Sequence, residues 1–168
     1  LKESDAGYEF EILGSHQDGF VLHAEGRISM VALSMPKDLD VKALSARFTS
    51  VEDAPVGKTL VTRQEAHLNF GPHWKTLVSQ GFSGNEGLAC LSLQNALASE
   101  AKDMSLHPGL LDIGTGWAMD LIEGYQADSL WVPMSYGALR HFATLPADII
   151  SHVTLTSGSV AEGTASFD

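Results

Sequence analysis

Asp112 is the side chain in this sequence best placed to do chemistry. It closes the run Leu106-His107-Pro108-Gly109-Leu110-Leu111-Asp112. That run reads as the start of a helix, with Pro108 at the first helical position, where its missing N–H is no loss. A carboxyl group so placed can give a proton to a departing group, provided that water is kept off it and that a base faces the same substrate. The plainer alternative is a solvated charge near a helix end, welcomed by the helix dipole. Two neighbours favour chemistry: Gly114 and Gly116 lie in the helix interior, where each costs about 1 kcal/mol against Ala. Such residues admit close approach by a ligand or by another element. Against the dipole, an apolar cover is needed to keep an acid protonated.

Other chemistries find less support. The seven histidines are scattered, without helical or hairpin pairing to a second ligand, so no metal site is expected. Cys90 is the single cysteine; it alternates with apolar neighbours and is expected to be buried and inert. There is no Gly-x-Ser-x-Gly elbow of the serine hydrolases. Leu111-Asp112-Ile113-Gly114-Thr115-Gly116-Trp117-Ala118 is similar to the glycine-rich loop of S-adenosylmethionine-dependent methyltransferases. However, Ala118 replaces the usual third glycine, and His107-Pro108 would interrupt the strand that must precede such a loop. A methyltransferase fragment is therefore the distant alternative. Asp120 and Glu123 are expected to be solvated.

The elements that must position Asp112 follow from periodicity. Leu110, Ile113, Trp117, Ala118, Leu121 and Ile122 cover one arc of a helix predicted over 108–123 and capped by Gly124. Strands are predicted at 8–12, 20–26, 27–33, 66–70 with a continuation over 74–78, 87–93, 129–136, 148–155 and 159–167. Residues 35–64 lose periodicity and read as a surface connector with one helical turn near 41–47. One helix among several strands joined mostly by short turns argues an α+β fold, an antiparallel sheet packed on a helix.

Composition sets the boundaries. The chain has 168 residues, 44% of them hydrophobic and 18% charged, a globular balance. A net charge of −11 disfavours nucleic acid and anionic membranes as partners. No apolar run approaches the roughly 18 residues of a membrane span. The first residues carry no signal-peptide pattern, and the lone cysteine fits a reducing cytoplasm. Leu1 stands where an initiator Met would, so a longer parent chain is expected.

Several segments, taken in order, carry a family resemblance. His23-Ala24-Glu25-Gly26 resembles the close of the first hotdog fold of polyketide synthase dehydratases. Asn69-Phe70-Gly71-Pro72-His73-Trp74 resembles the motif that opens their second hotdog, and Val132-Pro133-Met134-Ser135-Tyr136 a later strand containing proline. The run ending at Asp112 closely resembles their His-Pro-x-Leu-Leu-Asp motif. Together these segments span nearly the whole chain.

The resemblance implies a hotdog fold, an antiparallel sheet wrapped around one long central helix, as the second half of a double hotdog. Residues 1–34 would close the first hotdog, 35–61 link, and 62–168 form the C-terminal hotdog. The implied reaction is loss of water from a 3-hydroxyacyl thioester on the phosphopantetheine of an acyl carrier protein, with no further cofactor. Asp112 would be the acid. Its partner would be a histidine in a His-x-x-x-Gly-x-x-x-x-Pro motif of the other half, a motif absent from this sequence. Homodimerisation within a synthase is implied too. Phe70, Gly71, Pro72, Trp74, His107, Pro108, Gly116, Pro133 and Tyr136 are the candidate substrate-binding residues, with the Gly71 N–H a candidate to polarise the thioester carbonyl. His107 is a candidate to cap or orient the helix. Two departures bear on activity: Gly116 replaces a usual Gln or His, and Phe70 a common Tyr. They leave room for an isomerase or cyclase, or for a non-catalytic scaffold.

Overall fold

The computed structural model describes residues 1–5 and 7–168. The chain divides into two compact units, residues 1–37 and 38–168. The first is an antiparallel sheet of β1 (Lys2–Ser4), β2 (Gly7–His16) and β3 (Gly19–Ile28), in that order. Tyr8, Phe10 and Ile12 alternate with acidic residues along β2, and the Gln17-Asp18 turn joins β2 to β3, with Gly19 at φ 140°, a conformation that favours glycine. The stretches predicted as two strands over 20–33 form one strand that stops at Ile28. Every residue of β3 is exposed.

The second unit contains α1 (Val41–Ser45), β4 (Val51–Asp53), β5 (Leu77–Ser83), β6 (Glu86–Ser92), α2 (Pro108–Gly116), β7 (Asp148–Ser159) and β8 (Thr164–Phe167). Its five strands lie in the order β4-β5-β6-β7-β8, each pair antiparallel. The stretch read as a connector thus supplies a helix and an edge strand. Side chains alternate across a strand, and Leu77 of β5 and Ala89 and Leu91 of β6 meet Leu110, Ile113 and Trp117 of the α2 segment in one core cluster with Val153, with Phe82 of β5 packed against it. A bulge between Leu77 and Ser79 shifts the phase of β5. Cys90 falls on the other phase of β6 and is exposed, which corrects the expected burial. An all-antiparallel sheet has no parallel strands joined by crossover helices, and Gly114 and Gly116 lie inside α2 rather than in a loop before it. The methyltransferase alternative is overturned.

Helix α2 is shorter than predicted, ending at Gly116. Its last carbonyls find partners from elsewhere in the fold, which is how a helix end is satisfied without continuing. Ser151 Oγ donates to Gly114 O at 2.6 Å, and the Gln64 amide donates to Gly116 O. The apolar arc nevertheless persists: Trp117, Ala118 and Ile122 remain buried while the chain passes through a 3₁₀ turn at Met119–Leu121. Gly124, expected as the helix cap, follows that turn at φ 76°. Residues 129–136 form no strand; they are largely exposed, and Pro133 offers no N–H to a ladder. In place of a strand at 66–70 there are two 3₁₀ turns, Arg63–Ala66 and Pro72–Trp74.

Candidate active site

The site is built on the side of α2 that the core does not use. Leu110 and Ile113 are buried, whereas Asp112 and Thr115 are exposed. Asp112 is the fifth residue of α2, past the first turn where the dipole of the helix N-terminus acts, so that dipole affects it little. The burial expected for this acid is not supplied by the present chain.

The carboxylate is held from the side. The indole Nε1–H of Trp74 donates to Asp112 Oδ2 at 2.7 Å. Trp74 ends the 3₁₀ turn that Gly71 precedes and Pro72 opens, and its ring packs partly against the core. This turn is pressed onto the first turn of α2: a Cβ at Gly109 would lie 2.0 Å from the carbonyl oxygen of His73. Only glycine fits such an approach.

A second polar group stands behind the turn. His73 Nε2 lies 3.2 Å from Glu100 Oε2, and His107 Nε2 lies 3.8 Å from the same oxygen. The two imidazoles are stacked, with centroids 6.4 Å apart. His107 is 1% exposed, and its Nδ1 is buried without a hydrogen-bond partner. It occupies the N-cap position but makes no side-chain capping bond, so the expected capping role is not realised.

On the open side, Thr115 Oγ1 donates to Leu111 O at 2.9 Å and lies 3.4 Å from the Tyr136 hydroxyl. Tyr136, 62% exposed, thereby brings the 129–136 segment toward the face that carries Asp112. Pro133 and Pro72 are exposed, as are Gly71 and Pro108; Phe70 is partly buried against the core. Gly116 presents only backbone, and a Cβ there would meet Gln64 Nε2 at 3.1 Å. The structure thus joins Trp74 to Asp112 directly and Tyr136 through Thr115, and withdraws His107. Sequence reasoning missed Glu100, Gln64 and Ser151. All three act through distant chain segments and carry no local periodic signal.

Among the described residues, no group of three His, Cys, Asp or Glu side chains is placed to hold a metal ion. No helix among them is long and apolar enough to cross a membrane.

Antiparallel strands packed on one central helix, with an acid displayed on the helix's uncovered side, define a hotdog-type architecture. The family model described as polyketide synthase dehydratase N-terminal domain matches residues 40–167, and the chain belongs to that family. A dehydratase structure concerned with substrate selection in the borrelidin and fluvirucin polyketide synthases is similar, with TM-score 0.64 and 22% identity over 98% of this chain and 56% of that one. Two inactive mutants of the CurK dehydratase are similar as well. The aspartate-to-asparagine mutant has TM-score 0.63 and 18% identity over 90% of this chain and 53% of that one. The histidine-to-phenylalanine mutant has TM-score 0.62 and 17% identity over 95% and 59%. The present chain therefore spans a little over half the length of these structures. No curated protein matches it.

Proposed function

We propose that this chain is the aspartate-bearing half of a dehydratase domain in a modular polyketide synthase, and that Asp112 is its general acid. The reading rests on one observation above the others: the carboxylate at the end of the His107–Asp112 run is carried on the exposed side of the helix whose other side forms the core. The family description names an N-terminal domain. We assign the aspartate-bearing half instead because the run through Asp112 is present and the histidine motif is absent from the sequence.

In the proposed reaction a base removes the α-proton of a 3-hydroxyacyl thioester, and the released electron pair forms the Cα=Cβ bond. The Cβ–O bond breaks as Asp112 gives its proton to the departing hydroxyl, and water and an enoyl thioester leave. The base is a histidine of the companion hotdog, which also provides the apolar cover that Asp112 lacks here. The Gly71 N–H polarises the thioester carbonyl, and Phe70, Trp74, Pro133 and Tyr136 border the acyl chain. The substrate arrives on the phosphopantetheine of an acyl carrier protein, with no other cofactor, in a homodimeric cytoplasmic synthase. The inactive aspartate-to-asparagine mutant of the CurK dehydratase supports an essential carboxylate in such enzymes.

The test is Asp112→Asn in the full-length protein, given a 3-hydroxyacyl carrier-protein thioester and followed by mass spectrometry. Dehydration is expected to fall about 10²–10⁴-fold, without loss of thermal stability. Undiminished water loss would remove Asp112 from the reaction. A product of unchanged mass would point to the isomerase or cyclase reading, and a free acid to a thioesterase.

A further inference from the structure

The Asp112 carboxylate has a single hydrogen-bond donor among the described residues, and it comes from outside the helix. That donor is the Trp74 indole N–H, at 2.7 Å from Oδ2. We propose that Trp74 is a positioning residue for Asp112: it ties down Oδ2, so that Oδ1 is the oxygen that carries the proton to the substrate. The inference rests on the dehydratase reading and adds to it a residue that selects between two otherwise equivalent oxygens.

The geometry around the indole gives it the stiffness this role needs. The Pro72–Trp74 turn is closed by Trp74 N–H donating to Gly71 O at 3.0 Å, and it is continued by Lys75 N–H donating to Pro72 O and Thr76 N–H to Trp74 O. Its middle residue, His73, is tied to Glu100, and the next, Lys75, to Glu65. On the α2 side, contact at Gly109 leaves no room for the turn to advance. The indole itself is partly buried against the core. A ring confined in this way presents its N–H at a fixed point and loses little rotamer freedom when the bond forms. Gly116, one helical turn beyond Asp112, has no side chain to share the task, and its carbonyl is occupied by Gln64.

Other titratable groups are engaged elsewhere. On the elements packed against α2, His73 pairs with Glu100, and Glu86 of β6 with Arg47 and, more distantly, His152 of β7. Asp148 of β7 accepts from Ser92, and Cys90 of β6 is exposed. His107 at the N-cap faces Glu100, and the Tyr136 hydroxyl reaches Thr115 rather than the acid. None of them forms an ion pair or hydrogen bond with Asp112.

The experiment compares two changes at this position in the full-length protein, alongside Asp112→Asn. Trp74→Phe removes the donor and part of the ring. Replacing Trp74 with benzothienylalanine, in which sulfur takes the place of the indole N–H, removes the donor alone and carries the test if Trp74→Phe unfolds. Both are expected to lower kcat about tenfold, the scale of a lost hydrogen bond to a charged group, with KM little changed. A sulfur isostere with wild-type kcat and KM, while Asp112→Asn is inactive, overturns the positioning role and leaves the dehydratase reading standing. An active Asp112→Asn overturns both.

Discussion

The two sides of α2 obey different rules although their residues alternate along nine positions of one helix. On the covered side, Leu110, Ile113 and the adjoining Trp117 are buried to within 2%. Trp117 also anchors a polar chain, its Nε1–H donating to Ser151 Oγ at 3.0 Å while Ser151 donates to Gly114 O. On the open side, Asp112 and Thr115 meet a single indole and a single phenol. The covered side is specified by volume, the open side by where a few polar atoms are held. Changes on the first should therefore be read in stability and changes on the second in activity.

That division can be broken experimentally. The largest stability effect is expected from Trp117→Ala, which empties the centre of the cluster against Phe82, whose ring centroid lies 5.4 Å away. A loss of about 3–5 kcal/mol is expected by chemical denaturation. Ser151→Ala removes one donor and one acceptor at the end of α2 and leaves the Trp117 N–H and the Gly114 carbonyl unpaired. A cost of about 1–3 kcal/mol is expected. Thr115→Ala touches only the open side and should stay within about 0.5 kcal/mol of the parent. If Thr115→Ala proved as damaging to stability as Ser151→Ala, the two sides of the helix would not be separable in this way.

The same contrast explains what could be read before the structure. Strands β2, β3, β6 and β7 were legible because period-two alternation needs no knowledge of partners, and the antiparallel sheet with one helix followed from their order. The arc of α2 was legible through its buried residues, and Asp112 through the run that precedes it. The end of the helix was not, because the groups that receive its carbonyls, Gln64 and Ser151, lie about 52 and 37 residues away along the chain. Residues 129–136 imitate a strand with Trp131, Val132 and Met134, but a strand also requires an edge to pair with, and no edge takes this segment. Cys90 was misplaced by one step of phase, enough to move a side chain from one face to the other. The Trp74–Asp112 bond was invisible for a similar reason: the aromatic residue announced itself, but its N–H direction depends on a turn seated against a helix 35 residues later in sequence, at Gly109.

That seat makes position 109 a control point of one carbon atom. A single methyl group there would drive the His73 carbonyl outward, and the indole would travel with it, away from an acid that had not itself been altered. A substitution at this small residue would then move the Trp74 N–H relative to Asp112 without altering either side chain.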